Sequence, residues 1–471
     1  MSVAPPTARR PPGPRGKPVL GSILDFRSDI LRALIDGWHE YGDIVEFNVA
    51  GASYLVVHPD YIEHILRDNE SNYPHAPFLD ARWAKIVGNG LVTSKGDFWA
   101  RQRRLADPSF HQDRIAGFGQ IMTETTEEML EGWKPRVERG DPIDVREEMM
   151  RLTITILSKA MFSADIWDKT DTISRTVSVL LTHASNRLFS PVDFPEQIPL
   201  PSHRRYIAAR DEFDELIYGI IAERRREPRE DLLSMFLAAK DEETGEHMSD
   251  LQVRDEVRTM FIAGHETTAT SLAWTWYLLS MFPDVAQRLR EELAEVLGGR
   301  SATADDLPQL TYTWRVIQES LRMYPPIWMY LRTAIEDDVI DGYRIKAGKN
   351  IYLSPYITQR HLDFWDNPEG FDPDRFAPEK TQGWHRFKYW PFGGGPRKCI
   401  GNNFAVVEMQ LVVATVAQLY DLVLVPGHQV VIQPGLSLRQ RDGVLVNARP
   451  AGSGSHARPA PLVETAASTT A

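Results

Sequence analysis

A glycine-rich loop leads to Cys399, the only cysteine of the chain. The loop, FGGGPRKCIG from Phe392 to Gly401, precedes an apolar stretch with helical spacing, and its three glycines let the backbone approach something large and flat. Thiolate is a soft metal ligand, and a helix amino terminus with Arg397 and Lys398 beside it should lower the pKa of the thiol. The alternative is a buried structural cysteine, but the surrounding pattern favours a metal-binding thiolate.

A second chemical motif, AGHETT from Ala263 to Thr268, lies in the longest predicted helix. Gly264 removes a side chain, so that a ligand can approach the helix. Thr267 can donate a hydrogen bond to the carbonyl four residues before it and open the helix groove, and Glu266 adds a titratable group beside that hydroxyl. Alone, the hexapeptide is typical of an exposed Glu with a Thr that bends the helix. Together with the cysteine loop, it predicts a route for protons.

Arginines recur at helical spacing elsewhere in the chain. Arg103 follows Trp99 by four positions, and Arg322 follows Glu319 by three. A surface pair of the second kind stabilises a helix by only about 0.2–0.5 kcal/mol. An arginine can also bind a carboxylate through two parallel hydrogen bonds. Spacing alone leaves both roles open, as it does for Arg375 in the segment PEGFDPDRF.

The composition is that of a compact globular protein. The chain has 471 residues, 42% hydrophobic and 25% charged, and its net charge of −12 argues against a nucleic-acid partner. A single cysteine excludes an internal disulfide and a Cys-built zinc site, and it fits a reducing compartment. The first residues lack the apolar run of a leader, and the uncharged segment 267–283 is shorter than the ~20 apolar residues of a membrane span. We therefore expect a cytoplasmic protein without a stable membrane anchor.

The chemical motifs must be positioned by helices and strands of mixed order. Residues 44–57 predict a hairpin, and residues 97–300 are mainly helical. A capping box at Ser249 and Gln252 begins a helix that can run to Met281, a length of roughly 45 Å at 1.5 Å per residue. This helix is long enough to cross the whole protein.

The carboxyl-terminal half contains short strands around one more helix. Strand-like runs occupy residues 327–377, a helix follows Gly401, and strands return at 423–447. Because there is no regular βαβ alternation, we expect a single α+β unit that is mainly α. The predicted organisation is an extended arm at 1–18, one domain at 19–450 and a flexible tail at 451–471.

The cysteine loop resembles the haem-ligand loop of the cytochrome P-450 family, matching Phe-Gly-x-Gly-x-Arg-x-Cys-x-Gly at every fixed position. The family's Trp-x-x-x-Arg, Ala/Gly-Gly-x-Asp/Glu-Thr-Thr/Ser and Glu-x-x-Arg helices are matched in the same order. The chain is thus identified as a member of the soluble, bacterial-type branch over roughly residues 18 to 450. The resemblance implies a helix-rich part and a smaller β-rich part, with haem between the long central helix and the cysteine loop.

The resemblance also assigns a role to each motif residue. Cys399 is the expected metal ligand of haem b, iron protoporphyrin IX. The other expected cofactor-binding residues are Trp99, Arg103, Arg332, Phe392 and Arg397. No pair among His75, His111, His265 and His385 has the spacing of an iron site with a carboxylate, so we expect these histidines to be satisfied by the protein.

The remaining motif residues are expected to act on protons or on structure. By resemblance, Thr267 holds a water molecule next to bound dioxygen and Glu266 connects that water to bulk protons. Glu319, Arg322 and Arg375 are expected to form a buried network beneath the haem, where the loss of one partner would leave a charge unpaired.

These features predict a haem-thiolate monooxygenase. It would insert one atom of dioxygen, its co-substrate, into a lipophilic small molecule by hydroxylation or epoxidation. The sequence has no flavin or nicotinamide fingerprint and no iron–sulfur cysteine set, so electrons should come from a ferredoxin or flavodoxin with its reductase, and from NAD(P)H only indirectly. The alternatives are a haem-based sensor or carrier and a peroxide-driven enzyme, and Glu266 with Thr267 argues against both. We expect a monomer.

Two surfaces follow from the same resemblance. The candidate substrate pocket is apolar and aromatic, and it comprises Phe78, Trp83, Ala263, Gly264, Trp328, Met329 and Leu436, with the segment from Asn186 to Phe194. A positive patch for an acidic electron donor is predicted from Arg101, Arg103, Arg104, Arg114, Arg397 and Lys398.

Overall fold

The computed structural model describes residues 8–17, 21–49, 51–163, 170–188, 198 and 200–452. Only part of the predicted arm and of the predicted tail therefore lies within the described residues. In the described part of the arm, Arg9 N donates to Gly342 O at 2.8 Å, and Glu46 N donates to Pro12 O at 2.7 Å. This part is extended and hydrogen bonded to the β-rich region.

Helices form most of the described chain, because long stretches alternate apolar and polar residues at helical spacing. The first eight α-helices are α1 (Ile23–Tyr41), α2 (Pro59–Glu63), α3 (Pro77–Val87), α4 (Gly96–Ala106), α5 (Gln112–Ala116), α6 (Gly119–Arg139), α7 (Val145–Phe162) and α8 (Thr170–Leu188). The next eight are α9 (Pro201–Arg226), α10 (Leu232–Ala238), α11 (Asp250–Met281), α12 (Pro283–Leu297), α13 (Thr311–Met323), α14 (Pro355–Thr358), α15 (Pro378–Thr381) and α16 (Asn402–Leu419).

Within the described ranges, the strands are short and gather in four small sheets. They are β1 (Ile44–Asn48), β2 (Ala52–Val56), β3 (Ile143–Asp144), β4 (Tyr330–Thr333), β5 (Asp338–Ile340), β6 (Tyr343–Ile345), β7 (Asn350–Leu353), β8 (Tyr420–Leu424), β9 (Ile432–Pro434), β10 (Leu438–Gln440) and β11 (Leu445–Pro450). The largest sheet has the order β1-β2-β7-β4, with β2 and β7 parallel; the others are β3-β11-β8, β9-β10 and β5-β6. The α+β, mainly α prediction is confirmed.

The predicted capping signals set the observed helix ends. Ser249 Oγ accepts from Gln252 N at 3.3 Å, and Ser249 N donates to Gln252 Oε1 at 2.7 Å. This reciprocal pair satisfies two backbone groups at the start of α11, which runs for 32 residues to Met281 as predicted. The predicted hairpin is also present, with Ile44 paired to Val56.

The long helix α11 passes through the centre of the molecule. Most of its side chains are buried, including those of the acidic and basic residues Asp255, Glu256, Arg258 and Glu266. Ala263 and Gly264, in the middle of this buried helix, are exposed. None of the helices in the described ranges is long and apolar enough to cross a membrane.

Candidate active site

The loop before Cys399 is folded by hydrogen bonds within its own backbone. Cys399 N donates to Phe392 O at 3.0 Å, and Gly393 N donates to Trp390 O at 3.0 Å. The half-buried ring of Phe392 packs against the main hydrophobic core. These contacts set the position of the cysteine relative to α16, which begins three residues later.

The loop glycines allow the backbone to pack tightly on protein groups. Gly395 has φ +67°, and a Cβ there would lie 1.8 Å from the carbonyl oxygen of Leu66. A Cβ on Gly394 would lie 2.2 Å from the ring of Phe387. From the sequence, these glycines are expected to let the backbone approach a large flat group. The structure adds a different reason, close packing against Leu66 and Phe387.

The pKa of the Cys399 thiol differs from the expectation. Burial raises this pKa above its ordinary value, while the backbone N–H of Gly401 and the charges of Arg103 and Lys398 lower it. The density of protein atoms around the thiol has the largest effect, so its pKa is raised and the predicted net lowering is wrong. Although protein atoms crowd around the cysteine, its side chain keeps accessible surface.

Arg397 is held by two backbone carbonyls and one aromatic ring. Its Nη1 donates to Leu91 O at 3.3 Å and its Nη2 to Ser94 O at 2.9 Å. The guanidinium carbon lies 4.1 Å from the centre of the Trp99 ring. Trp99 and Arg397, which are far apart in sequence, are therefore brought together as a cation–π pair.

Arg103 connects the helix of Trp99 to the cysteine loop. Its Nη1 donates to the carbonyl of Lys398 at 2.9 Å, directly before the cysteine, and its Nε lies 3.2 Å from Asp107. The Arg103 side chain thus contacts the cysteine loop. The resemblance predicts that Arg103 and this loop bind the same haem.

Arg332 is a buried cation without a carboxylate partner among the described residues. It is 6% exposed, and its one side-chain hydrogen bond there is to the carbonyl of Leu331 at 3.3 Å. Burial lowers its pKa to about 10, and the positive charge of Arg397 acts in the same direction. A buried, unpaired cation is destabilising, so this site suits a ligand that brings acidic groups. Together with an accessible cysteine, Arg332 and Arg397 fit haem, whose propionates are such groups.

The hydroxyl groups of the AGHETT segment bond back along α11. Thr267 Oγ1 donates to Ala263 O at 2.8 Å, and Thr268 Oγ1 donates to Gly264 O at 3.0 Å. A Cβ on Gly264 would lie 3.5 Å from Leu157, an ordinary contact, so protein packing alone does not require glycine there. The backward hydrogen bond that the sequence predicts for Thr267 is therefore present.

Glu266 is buried and points to a turn that the sequence analysis did not connect with it. Ser437 Oγ, between β9 and β10, donates to Glu266 Oε1 at 2.6 Å. Ser437 is itself 1% exposed and lies 3.4 Å from Thr270 Oγ1. The two residues are 171 positions apart, and no local spacing could have indicated this contact.

Glu319, Arg322 and Arg375 meet as the sequence predicts. Glu319 and Arg322 are fully buried and joined by two hydrogen bonds of 2.7 and 2.9 Å, while Arg375 Nε lies 3.2 Å from Glu319 Oε1. Gln359 was missed: its amide donates to the carbonyls of Leu321 and Arg322, and its Oε1 accepts from the backbone N–H of Trp390. Gln359 thus connects this network to the segment that enters the cysteine loop.

The candidate pocket residues differ in how much surface they offer. Phe78 is 47% exposed, whereas Trp328 is 2% exposed and donates its indole N–H to Gly435 O at 3.0 Å. Trp328 is therefore packed inside the protein, and its ring offers almost no surface to a ligand. Three further candidate pocket residues are partly buried, namely Trp83, Met329 and Leu436. Within the segment from Asn186 to Phe194, residues 189–194 and the Asn186 side chain lie outside the described residues.

The predicted positive patch is only partly formed. Arg101 lies 3.3 Å from Asp241 and 3.1 Å from Glu246, and Arg104 lies 2.8 Å from Glu243. Assigning Arg101 and Arg104 to a free positive surface was wrong, because the acidic segment that precedes α11 folds over α4 and neutralises them. Lys398 and Arg114 are exposed and have no ion pair within the described ranges.

The four histidines weighed as ligands have protein surroundings. His265 Nδ1 lies 2.7 Å from Phe261 O, and His385 Nε2 lies 2.9 Å from Glu63. His75 Nδ1 lies 3.5 Å from Asp80, and His111 is exposed. In the described part of the chain, no three His, Cys, Asp or Glu side chains form a group that could hold a metal ion.

Three features of the site match those expected of a haem-thiolate protein. They are a cysteine just before a helix, a long central helix with an accessible midpoint, and two arginines suited to propionates. The family model described as Cytochrome P450 matches residues 11–450. The chain is 35% identical over 430 residues to "Cyclooctatin synthase" of Streptomyces melanosporofaciens, covering 90% of this chain and 92% of that protein. It is 34% identical to "Cyclooctat-9-en-7-ol 5-monooxygenase" of the same organism, covering 82% and 84%.

A solved structure shares the fold. The crystal structure of the cytochrome P450DA heme domain superposes with a TM-score of 0.85 at 28% identity, covering 94% of this chain and 98% of that chain. This chain belongs to the cytochrome P450 family, and it is a monooxygenase of the oxidoreductase class.

Proposed function

We propose that this P450 inserts one oxygen atom into a cyclic terpenoid, by hydroxylation or epoxidation. The names of its relatives support this substrate class, since they concern cyclooctatin and the alcohol cyclooctat-9-en-7-ol. The apolar character of Phe78, Met329 and Leu436 supports a lipophilic substrate of this kind. The observation that carries the proposed cofactor is the buried Arg332, which has no ion pair among the described residues and lies close enough to Arg397 for that charge to lower its pKa. Arg397 itself is two residues from the exposed Cys399.

The proposed haem site uses residues from three parts of the chain. Cys399 is the proposed metal ligand, and Arg332, Arg397, Trp99 and Arg103 are proposed to hold the propionate side. Haem with a thiolate ligand supplies reductive activation of dioxygen. Phe392 is proposed to pack beside the cofactor, while Glu319 with its two arginines is proposed to keep the cysteine loop in place.

Two residues of α11 are proposed to handle protons. The Thr267 hydroxyl, held on Ala263 O, would keep a water molecule in place at the midpoint of the helix. Glu266 would exchange protons with that water, with its carboxylate oriented by Ser437. This pair of residues is the reason to favour turnover of dioxygen over a sensor or a peroxide-driven enzyme.

The electron donor is proposed to be a ferredoxin or flavodoxin with its reductase, so that NAD(P)H acts only indirectly. We further propose a cytoplasmic monomer, for which the single cysteine is the support.

The substrate class is tested by mixing the haem-loaded enzyme with a panel of cyclic terpene hydrocarbons and alcohols. A member of the true class should shift the haem absorption spectrum and, with ¹⁸O₂ and an electron donor, give a product that contains one labelled oxygen atom. Fatty acids and steroids serve as the comparison panel. Labelled product from these alone would refute the terpenoid assignment, and unlabelled product would refute oxygen insertion.

A further inference from the structure

The loop between α3 and α4 is held against α11 by two consecutive carboxylates. We call residues 88–94 the B-side loop. Asp255 Oδ2 accepts from Asn89 N at 2.8 Å, and Glu256 Oε2 accepts from Leu91 N at 3.0 Å. The two carboxyl groups of α11 thus accept hydrogen bonds from loop N–H groups, which would otherwise need acceptors from the backbone.

Glycines in the B-side loop make this close approach possible. Gly88 has φ +78°, and a Cβ there would lie 2.2 Å from the carboxylate of Asp255. A Cβ on Gly90 would lie 2.3 Å from Thr259 Oγ1 and 3.2 Å from Glu256 Oε2. The loop therefore lies so close to α11 that neither position has room for a Cβ.

The opposite side of the same loop holds Arg397. Leu91 donates its N–H to Glu256 and accepts from Arg397 through its carbonyl, so a single residue connects the two side chains. Ser94 O accepts from the second terminal nitrogen of the same guanidinium. No carboxylate within the described ranges forms an ion pair with Arg397. Its position depends on these two carbonyls and on the ring of Trp99.

Glu256 itself has no other evident task. It is fully buried, and its Oε1 has no hydrogen-bond partner among the described atoms. Asp255, the neighbouring carboxylate, differs because it also forms an ion pair with Arg254 at 2.7 Å. Keeping an unpaired carboxyl group inside a protein is costly, which points to a role for the one hydrogen bond that Glu256 does accept.

We propose that Glu256 is a positioning residue for the cofactor-binding arginine: by holding Leu91 N–H, it fixes the carbonyls that place Arg397. This inference rests on the proposed function, in which Arg397 binds a haem propionate. A displaced arginine would no longer place its positive charge beside the propionate. The affinity for haem and the midpoint potential of the haem would then both change.

The experiment compares haem-loaded variants by midpoint potential and by the rate of haem transfer to excess apomyoglobin. Glu256→Leu removes the acceptor of Leu91 N–H, and we expect haem transfer to become about tenfold faster because a buried donor is left unsatisfied. The potential should shift in the same direction as in Arg397→Gln. Glu256→Gln keeps an acceptor oxygen, so it should stay within about twofold of the wild type in rate and should keep its potential.

Asp255→Leu is the matched control, because it removes the acceptor of Asn89 N–H from the same loop. It should lower the unfolding temperature without shifting the potential. Gly90→Ala provides a second route that leaves Glu256 unchanged: its Cβ should push the loop away from α11 and reproduce the potential shift of Glu256→Leu. This variant keeps the inference testable if Glu256→Leu does not fold.

Three outcomes would overturn the inference. If Asp255→Leu shifts the potential as much as Glu256→Leu, the effect is a general loosening of the loop. If Arg397→Gln changes potential and haem transfer while Glu256→Leu and Gly90→Ala change neither, Glu256 does not position the arginine, and the proposed haem site stands. If Arg397→Gln also changes neither, the proposed contact between Arg397 and haem fails as well.

Discussion

Replacing Glu256 by glutamine should remove a pH dependence from the stability of the folded protein. Burial raises the pKa of Glu256 to about 8, from an ordinary value of 4.5, and the nearby charge of Asp255 raises it further while the Leu91 N–H lowers it. The folded protein therefore keeps this carboxyl protonated at pH values where the unfolded chain has lost the proton. Stability is fully present below pH 4.5 and is lost as the pH rises towards 8.

The size of the effect follows from the two pKa values. Each pH unit between them costs about 1.4 kcal/mol, so the free energy of unfolding falls by roughly 5 kcal/mol across the interval. A chain of 471 residues has an unfolding entropy of roughly 1 kcal/mol per kelvin. Because the range from pH 5 to pH 9 covers most of this interval, the unfolding temperature should fall by roughly 4 °C more in the wild type than in Glu256→Gln.

The assay is thermal unfolding of haem-loaded wild type and Glu256→Gln in matched buffers at half-unit pH steps. Groups that titrate in both proteins cancel in the difference between the two curves. The difference should grow in favour of the variant from pH 5 to pH 8 and then level off. Parallel curves over this range would mean that Glu256 is ionised in the folded protein, and the argument from burial would be refuted.

The other predictions concern the site directly. Cys399→Ser should lose the red-shifted carbon-monoxide Soret band of a thiolate-bound haem, and retention of that band would remove Cys399 as the ligand. Thr267→Ala should bind haem and substrate normally but divert electrons to hydrogen peroxide; an unchanged ratio of product to electrons would exclude the hydroxyl from the mechanism. Glu319→Gln leaves the buried Arg322 and the partly buried Arg375 without their anion, and it should lower the free energy of unfolding by about 3–5 kcal/mol, measured by urea titration. A loss below about 1 kcal/mol would contradict the network. Lys398→Glu should slow second-order reduction by an acidic ferredoxin and flatten its salt dependence. An unchanged rate with an unchanged salt dependence would place the docking face elsewhere.

Local sequence patterns predicted the elements that carry the motifs. The capping box at Ser249 predicted the start of α11, and Pro283 predicted its end at Met281, because both signals depend only on neighbouring residues. The contact of Glu319 with Arg375 was predicted from resemblance, since the two residues lie 56 positions apart.

Contacts between distant segments explain what the sequence could not indicate. Ser437, Gln359 and Leu91 have ordinary local surroundings, and each becomes important through a partner from another part of the chain. The paired state of Arg104 depends on an acidic segment 137 positions away. The pKa of Cys399 depends on how many atoms surround it, which spacing does not report.

The packing of Gly395 on the Leu66 carbonyl determines which substitutions the ligand loop can accept. The obstacle to a side chain at Gly395 is main chain, and Leu66 belongs to a π-helical turn, His64–Asp68, so rotamer changes in neighbouring side chains cannot make room. Pro396 and Lys398 are exposed in the same loop. A saturation library over the loop should therefore return glycine alone at position 395 and a broad range of residues at 396 and 398. Engineering of the loop surface can use those two positions without moving the backbone at Gly395, although a change of charge at 398 also acts on the pKa of Cys399.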